Sequence, residues 1–276
     1  MSFGPRPWLQ RHWDWRAACN FIFGGTGSGL VVAAALAGPR LMPVEVLIGL
    51  AFVALGLTAV WLEIGRPLRA INVMFNPFTS WMTRESFASL PLFALGVAAA
   101  AHGGATLAVC SAFAALVFVY CQARILRGAK GIPAWREPAL TPLIVSTALV
   151  EGAGVACLLA PVFSDTSGVP GAWLALALVA RGLAGTLYRS RIEKNLVLDA
   201  RTALDAAGHT LLQLGTVAPL ALLVAGLVLE PAAQVGTALA GLAALAAGWQ
   251  FKFVLVTRAA FNQGFALPHL PVRGGR

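Results

Sequence analysis

The chain has 276 residues, of which 58% are hydrophobic and only 11% are charged. Because soluble domains carry about 25% charged residues, this composition excludes an ordinary soluble domain and indicates a polytopic membrane protein. The formal net charge of +9 does not indicate a nucleic-acid partner, because the basic residues fall in the loops between apolar runs, where membrane topology explains them. The lipid bilayer is therefore the first expected partner.

Eight apolar runs are long enough to cross a bilayer, for which a helix needs about 20 apolar residues. They lie roughly at 17–38, 43–64, 84–103, 105–126, 141–163, 169–190, 206–229 and 233–256. The predicted fold class is an all-α integral membrane protein with eight transmembrane helices, and residues 1–276 form a single domain. The first sixteen residues are rich in charge and have no apolar core, so we expect no signal peptide.

The first span contains the glycine-rich stretch Phe23-Gly24-Gly25-Thr26-Gly27-Ser28-Gly29. It resembles a dinucleotide-binding loop, but such a loop needs a strand before it and a helix after it. Within a membrane span, Gly25 and Gly29 instead have the small-xxx-small spacing that lets two helices approach closely. The stretch therefore predicts tight helix packing.

The basic residues predict the orientation of the chain. Of the 20 Lys and Arg residues, only Arg40 falls on one side of the predicted membrane, and Arg181 falls inside a span. All the others, Lys252 included, fall on the opposite side, which the positive-inside rule makes cytoplasmic. Both termini and every loop large enough to bind a partner are therefore expected on the cytoplasmic side, including loops 127–140 and 190–205 and the tail from Arg258.

The densest polar cluster is the loop that follows the second span, from Leu62 to Glu85. It is about twenty residues long, and connections of that length are usually either functional or disordered. Its aromatic and apolar content argues against disorder. The loop is therefore predicted to meet a partner.

Four polar residues on four successive spans reach one level near the cytoplasmic face: Asn20, Glu63, Glu85 and Tyr120. Tyr120 lies about 9 Å from the end of its helix at 1.5 Å per residue. A few convergent polar groups in apolar walls are typical of a small-ligand site. A ligand reached from lipid at that depth is a quinone, whose reduction needs protons from groups such as Glu63 or Glu85. The competing interpretation is that these groups simply face water at the headgroup level.

Redox centres within the chain are not expected. Of the histidines His12, His102, His209 and His269, only His209 falls within a span, so a bis-histidine haem is not predicted. The four cysteines form no Cys-x-x-Cys pair, which argues against an iron–sulfur or metal site. Glu151 and Arg181 are the two charges deep inside spans, and mutual pairing is expected because an unpaired charge there is costly.

Two segments resemble the membrane-anchor family of DMSO reductase. One is the run from Glu63 to Asn72 followed by Ser80-Trp81-Met82-Thr83-Arg84-Glu85, and the other is Ile132-Pro133-Ala134-Trp135 with Leu140-Thr141-Pro142-Leu143. The related polysulfide-reductase-like anchors share Gly65-Arg66-Pro67 and eight helices. The resemblance covers most of the chain.

The resemblance implies an inner-membrane subunit that anchors a ferredoxin-like iron–sulfur subunit and a molybdopterin catalytic subunit and exchanges electrons with ubiquinone or menaquinone. The molybdenum cofactor and the iron–sulfur clusters would belong to the partners alone, and no haem would be bound. Proton handling is assigned to Glu85 and Glu63, although family anchors often carry histidine where this chain has Glu63. Quinone binding is assigned to Asn20, Arg66, Arg69, Trp81, Arg84 and Tyr120.

Within this family, the tail segments 262–268 and 271–274 resemble an inward-facing branch. That branch includes phenylacetyl-CoA:acceptor oxidoreductase and cytoplasmic sulfite dehydrogenase, and the tail favours phenylacetyl-CoA as the electron donor. Electrons would flow from substrate to quinone. Two alternatives stay open: a secondary transporter, for which internal repeats and broken helices are expected, and a purely structural anchor without a quinone site.

The charge bias makes a direct prediction about topology. Reporter domains fused after residue 130 and after the C-terminus should both report a cytoplasmic location, whereas a fusion at residue 104 should report the periplasm. A periplasmic signal from the first two fusions would reverse the orientation and with it the side on which partners bind.

Overall fold

The computed structural model describes residues 4, 6–37, 42–64, 67–163, 168–228 and 233–265, and it leaves out the side chains of residues 67–70 and 194. Arg40 and Arg66 therefore lie outside the described residues, and of Arg69 only the backbone is described. Within these ranges the regular structure is helical, apart from one antiparallel bridge between Leu9 and Phe261.

Ten α-helices follow one another along the described chain. They are α1 (Trp15–Ala34), α2 (Met42–Glu63), α3 (Trp81–His102), α4 (Ala105–Gly128), α5 (Pro133–Arg136), α6 (Leu140–Leu159), α7 (Val169–Ile192), α8 (Leu198–Leu212), α9 (Ala218–Val228) and α10 (Ala233–Thr257). A 3-10 helix (Pro67–Phe75) lies between α2 and α3, a shorter one (Glu193–Asn195) follows α7, and a π-helical turn (Gln213–Val217) joins α8 to α9.

Eight segments of the described chain are long and apolar enough to cross a membrane, with α8, the π-helical turn and α9 counting as one segment, Leu198–Val228. This confirms the predicted all-α fold with eight membrane spans. It corrects two starting points. The third span begins at Trp81 rather than 84, because the Ser80 side chain caps the helix by accepting from the Thr83 N–H at 3.3 Å.

The seventh span begins at Leu198 rather than 206, so most of the predicted loop 190–205 is helix. The sequence prediction was wrong because Asp199, Arg201 and Asp205 look like loop residues. They lie on one side of α8, while Ala200, Leu204, Ala207 and Leu211 are buried on the other. This spacing of three and four residues makes an amphipathic first half of the span.

Helix α1 lies at the centre of the bundle. Fifteen of its 20 residues are buried, and it packs against α2, α4, α6 and α10. Its glycines are the reason that the neighbours come so close. An added Cβ at Gly27 would lie 2.3 Å from Gly49 O on α2, and one at Gly29 would lie 1.9 Å from Ala148 O on α6. The predicted role of the glycine-rich stretch in close helix packing is confirmed.

The two ends of the described chain meet on one face of the bundle. Gln10 N donates to Ala260 O at 3.0 Å, Asn262 N donates to Trp8 O at 3.0 Å, and Gly4 N donates to Gln263 O at 2.8 Å. An even number of spans requires this arrangement. We call this side the terminal face; it also carries the connections α2–α3, α4–α6 and α7–α8.

The glycine contacts predict a steep effect of a single methyl group. Gly29→Ala should destabilise the bundle by about 1–3 kcal/mol, because α1 and α6 must move apart to admit the Cβ. Gly208→Ala in α8 is the matched control, since no atom lies within 4 Å of its added Cβ. Thermal unfolding in detergent, followed by size-exclusion chromatography, measures both. Equal melting temperatures for the two variants would contradict the packing described here.

Candidate functional site

A buried carboxylate forms the centre of the first polar cluster. Glu85, on the second turn of α3, is only 5% exposed, and its Oε1 accepts from Asn20 Nδ2 of α1 at 3.1 Å. The Gln122 side-chain amide of α4 lies alongside the same carboxylate. Gln122 is fully buried and its Nε2 donates to the backbone carbonyl of Asn20 at 2.9 Å. Three helices thus bring one acid and two amides together near the terminal face.

Two glycines make room for this cluster. A Cβ at Gly24 would lie 2.4 Å from Gln122 Nε2, and one at Gly56 of α2 would lie 3.2 Å from Asn20 O. Two oxygens of the cluster, Asn20 Oδ1 and Gln122 Oε1, are buried without a hydrogen-bond partner in the described part of the chain. The cluster therefore has spare acceptor capacity in an otherwise apolar wall.

An aromatic and cationic rim lies beside the cluster. The guanidinium carbons of Arg84 and Arg124 lie 4.2 Å and 4.3 Å from the centroid of the Trp81 ring, a cation–π geometry. Tyr120 meets Trp81 edge-on at 5.9 Å, and its hydroxyl accepts from Arg124 Nη1 at 2.7 Å. Arg84 also donates to the carbonyls of Pro77 (2.8 Å) and Phe78 (2.7 Å), which ties the preceding loop to α3.

Glu63 lies at the end of α2, in a different setting from Glu85. The charges that act on it are Asp14 and Arg16, which form an ion pair of 2.8 Å at the start of α1. Arg16 also donates to Leu62 O at 2.8 Å. The hydrogen bond from Arg16 holds the pKa of the Asp14 carboxyl below its usual range. Glu63 thus belongs to a charged patch at the terminal face.

The predicted site residues therefore fall into three groups. Asn20 and Glu85 are hydrogen-bonded to each other; Trp81, Arg84 and Tyr120 form the rim. Glu63 lies in the charged patch. The roles proposed for Arg66 and for the Arg69 side chain fall outside the described residues.

A second polar cluster is buried deeper in the bundle. Lys252 Nζ of α10 lies 2.6 Å from Glu151 Oε2 of α6, and both side chains are fully buried. The Lys252 ammonium also donates to the Phe21 carbonyl at 3.0 Å, and Thr26 donates to Glu151 Oε2 at 3.0 Å. Trp249 Nε1 donates to Thr26 Oγ1 at 2.9 Å.

The expected pairing of Glu151 with Arg181 is therefore wrong. Arg181 instead donates to three oxygens of α10 and the π-helical turn: Ala244 O at 3.1 Å, Gly215 O, and Thr216 Oγ1 at 3.3 Å. The π-helical turn changes the hydrogen-bond register and leaves carbonyl capacity that a guanidinium can use. Lys252, which the charge count placed at the cytoplasmic end, takes the position beside Glu151.

The sequence prediction missed Gln122, Thr26, Trp249 and Lys252. A signal for Gln122 was present: it follows Ala115 and Phe118 at intervals of seven and four, and both of those residues are fully buried. Lys252 gave a weaker signal, since apolar residues surround it on both sides up to Val256. Among the described residues no group of three His, Cys, Asp or Glu side chains is placed to hold a metal ion.

Comparison with known proteins gives one distant relative, which is a subunit of the sulfite dehydrogenase of Allochromatium vinosum. The two chains are 27% identical over 219 residues, an alignment that covers 66% of this chain and 65% of that protein. The match therefore spans just under two thirds of the relative's length. No protein-family model matches the chain.

The second cluster predicts a non-additive mutant cycle. Lys252→Met should destabilise the protein by about 3–5 kcal/mol, because Glu151 is left charged and unpaired in the bundle. Adding Glu151→Gln should restore most of that loss, and the coupling is measured by unfolding in graded detergent mixtures. Strictly additive effects of the two substitutions would show that the pair does not interact.

Proposed function

We propose that the chain is the quinone-reactive membrane subunit of a multisubunit oxidoreductase, with the quinone head group bound between Asn20, Glu85 and Gln122. The observation that carries the proposal is the buried Glu85 carboxylate held by two amides from neighbouring helices, close to the terminal face. An isolated buried acid is costly within a membrane and marks a functional site by default.

The polar atoms of this site suit the two redox forms of a quinone. Arg124 Nε is a buried donor without a hydrogen-bond partner in the described part of the chain, and it lies in the rim. A quinone carbonyl needs such a donor, whereas a quinol hydroxyl needs an acceptor such as Asn20 Oδ1 or Gln122 Oε1. Bound quinone supplies two-electron, two-proton redox chemistry. The Trp81 and Tyr120 rings give the head group an aromatic wall.

In this proposal the chain's own part in the chemistry is to move protons. Glu85 is placed to give a proton to the ligand or take one from it, and Asn20 and Gln122 fix the orientation of its carboxyl group. Glu63, in the charged patch with Asp14 and Arg16, exchanges protons with water and replenishes Glu85. General acid–base catalysis of this kind contributes roughly 10²–10⁴-fold to a rate.

The electrons would come from a ferredoxin-like iron–sulfur subunit docked on the terminal face. The loop around the 3-10 helix presents Ile71, Phe75 and Phe78, which are 65%, 74% and 89% exposed. Exposed apolar side chains gathered beside arginines are typical of protein interaction sites. By the charge bias the terminal face would be cytoplasmic and the membrane would be the inner membrane. A molybdopterin subunit would complete the complex.

The choice of electron donor rests on the comparison. The distant relative belongs to a sulfite dehydrogenase, which favours sulfite over phenylacetyl-CoA, the donor favoured by the tail alone. The tail residues beyond Phe265 lie outside the described part of the chain. Electrons would then pass from sulfite through the partner subunits to ubiquinone or menaquinone.

The test is a turnover assay on the co-purified complex, with sulfite as donor and a short-chain ubiquinone as acceptor. Glu85→Gln should keep the complex assembled and lose roughly 10²-fold or more of quinone turnover, because the proton donor is removed. Glu63→Gln should lose less, because water can partly replace it. The matched control is Glu193→Gln, which alters an exposed carboxylate on the same face.

The possible outcomes separate the alternatives. Normal quinone turnover in Glu85→Gln would contradict the site, and turnover with phenylacetyl-CoA but not sulfite would replace only the donor. Co-purification of redox subunits without any quinone turnover would favour a purely structural anchor. Purification without redox subunits would favour a transporter.

A further inference from the structure

The Glu151–Lys252 pair is not used by the proposed quinone site. Placing two charges inside a membrane bundle costs several kcal/mol per ion, and a pair of apolar residues of similar volume is often equally stable. At 1.5 Å per residue, Glu151 lies about 16 Å from the terminal end of α6, near the middle of the membrane. A purely structural role leaves that cost unexplained.

The surroundings of the pair are built to hold it. A Cβ at Gly25 would lie 2.3 Å from Lys252 Nζ, and one at Gly248 would lie 2.7 Å from Glu151 Oε1. While Oε2 accepts from Lys252 and Thr26, Oε1 has no hydrogen-bond partner in the described part of the chain, and neither has the nearby Thr147 hydroxyl. One carboxylate oxygen is therefore held in place but left able to take a proton.

A route from the terminal face reaches this region. Helices α7 and α8 enclose a groove that runs from the ion pairs Arg189–Asp205 (3.3 Å) and Arg201–Glu193 at its mouth to Arg181. The groove offers about 60 Å³ to small molecules. That volume holds a few waters but falls well below the ~150 Å³ that accommodates a benzene-sized ligand. Water, rather than a quinone ring, is the occupant that fits.

Arg181 links the inner end of the groove to the buried pair. It donates to Ala244 O of α10, and Glu151 Oε1 lies against Gly248, one helical turn further along α10. The charges that act on Glu151 are Lys252 from α10 and Arg181 from α7. From α1 it is faced by the neutral Thr26, and from α4 by no charged group among its described contacts.

On the other side of the pair the bundle is closed. Toward the opposite face, α1, α6 and α10 are packed through an apolar cluster of Leu30, Ala33, Val155, Ala156 and Leu245. Water reaching the pair through that layer would have to cross close-packed apolar side chains. The groove between α7 and α8 is thus the favoured access, and it opens at the terminal face.

We propose that Glu151 is a proton-binding site in mid-membrane that exchanges protons with the terminal face through the α7–α8 groove. A proton from terminal-face water binds to Glu151 Oε1 and converts the carboxylate to a carboxylic acid. Lys252 remains an ammonium, Oε2 keeps its hydrogen bonds, and no electron is transferred. This function is separate from quinone chemistry at Glu85 and does not depend on it.

The test is infrared difference spectroscopy of the purified full-length chain in lipid nanodiscs, without quinone or electron donor. A step in pH should produce a carboxylic-acid C=O band that is absent in Glu151→Gln and present in Glu85→Gln. If Glu151→Gln does not fold, Glu151→Gln/Lys252→Met takes its place, because it leaves no unpaired charge. No band dependent on Glu151 over the pH range in which the bundle stays folded would overturn the proposal.

A second measurement tests the route. Exchange of that band into deuterated buffer should slow by roughly tenfold or more in Gly208→Leu, whose side chain fills the groove. Gly171→Leu is the matched control, because it adds the same side chain to the other end of α7, away from the groove. Equal exchange rates in both variants and in the parent chain would rule out the groove as the path.

Discussion

The close approach of α1 to its neighbours is the constraint on which the rest of the structure depends. Within one turn, Asn20 and Phe21 offer consecutive backbone carbonyls to Gln122 and Lys252, and Gly24 and Gly25 leave the space that those side chains occupy. A side chain at either glycine would push a buried polar group out of place. Lipid gives membrane helices little hydrophobic drive to associate, so small residues and interhelical hydrogen bonds hold them together. In α1 the same glycines also position the two polar clusters.

The two clusters divide the labour between two levels of the membrane. Glu85 lies near the terminal face, where electrons from a docked partner and protons from water both arrive within short distances. Glu151 lies about two α-helical turns deeper along its own helix than Glu85 does along α3. In the proposed function the shallow cluster does the chemistry with quinone. The deeper pair binds protons independently, and α1 touches both.

Sequence reasoning reached the number of spans, the helix-packing role of the glycines and the meeting of Asn20 with Glu85, because composition and depth along a helix determine them. It failed where rotation about the helix axis decides which side chain faces inward. Tyr120 was chosen on α4, yet Gln122, about 200° further round, faces the core, whereas Tyr120 is 41% exposed. Glu151 and Arg181 have similar depths, but the partner of Arg181 is a set of carbonyls at a π-helical turn, a feature that leaves no mark in the sequence pattern.

Photoaffinity labelling with an azidoquinone tests the central claim, the position of the quinone, most directly. The complex is irradiated in membranes and the labelled peptides are mapped by mass spectrometry, with an excess of unlabelled quinone as the competitor. Labels that the competitor removes should fall on α1, α3 and α4 around Asn20, Glu85 and Gln122. Competed labels confined to α7 and α8, with none on those three helices, would contradict the assignment.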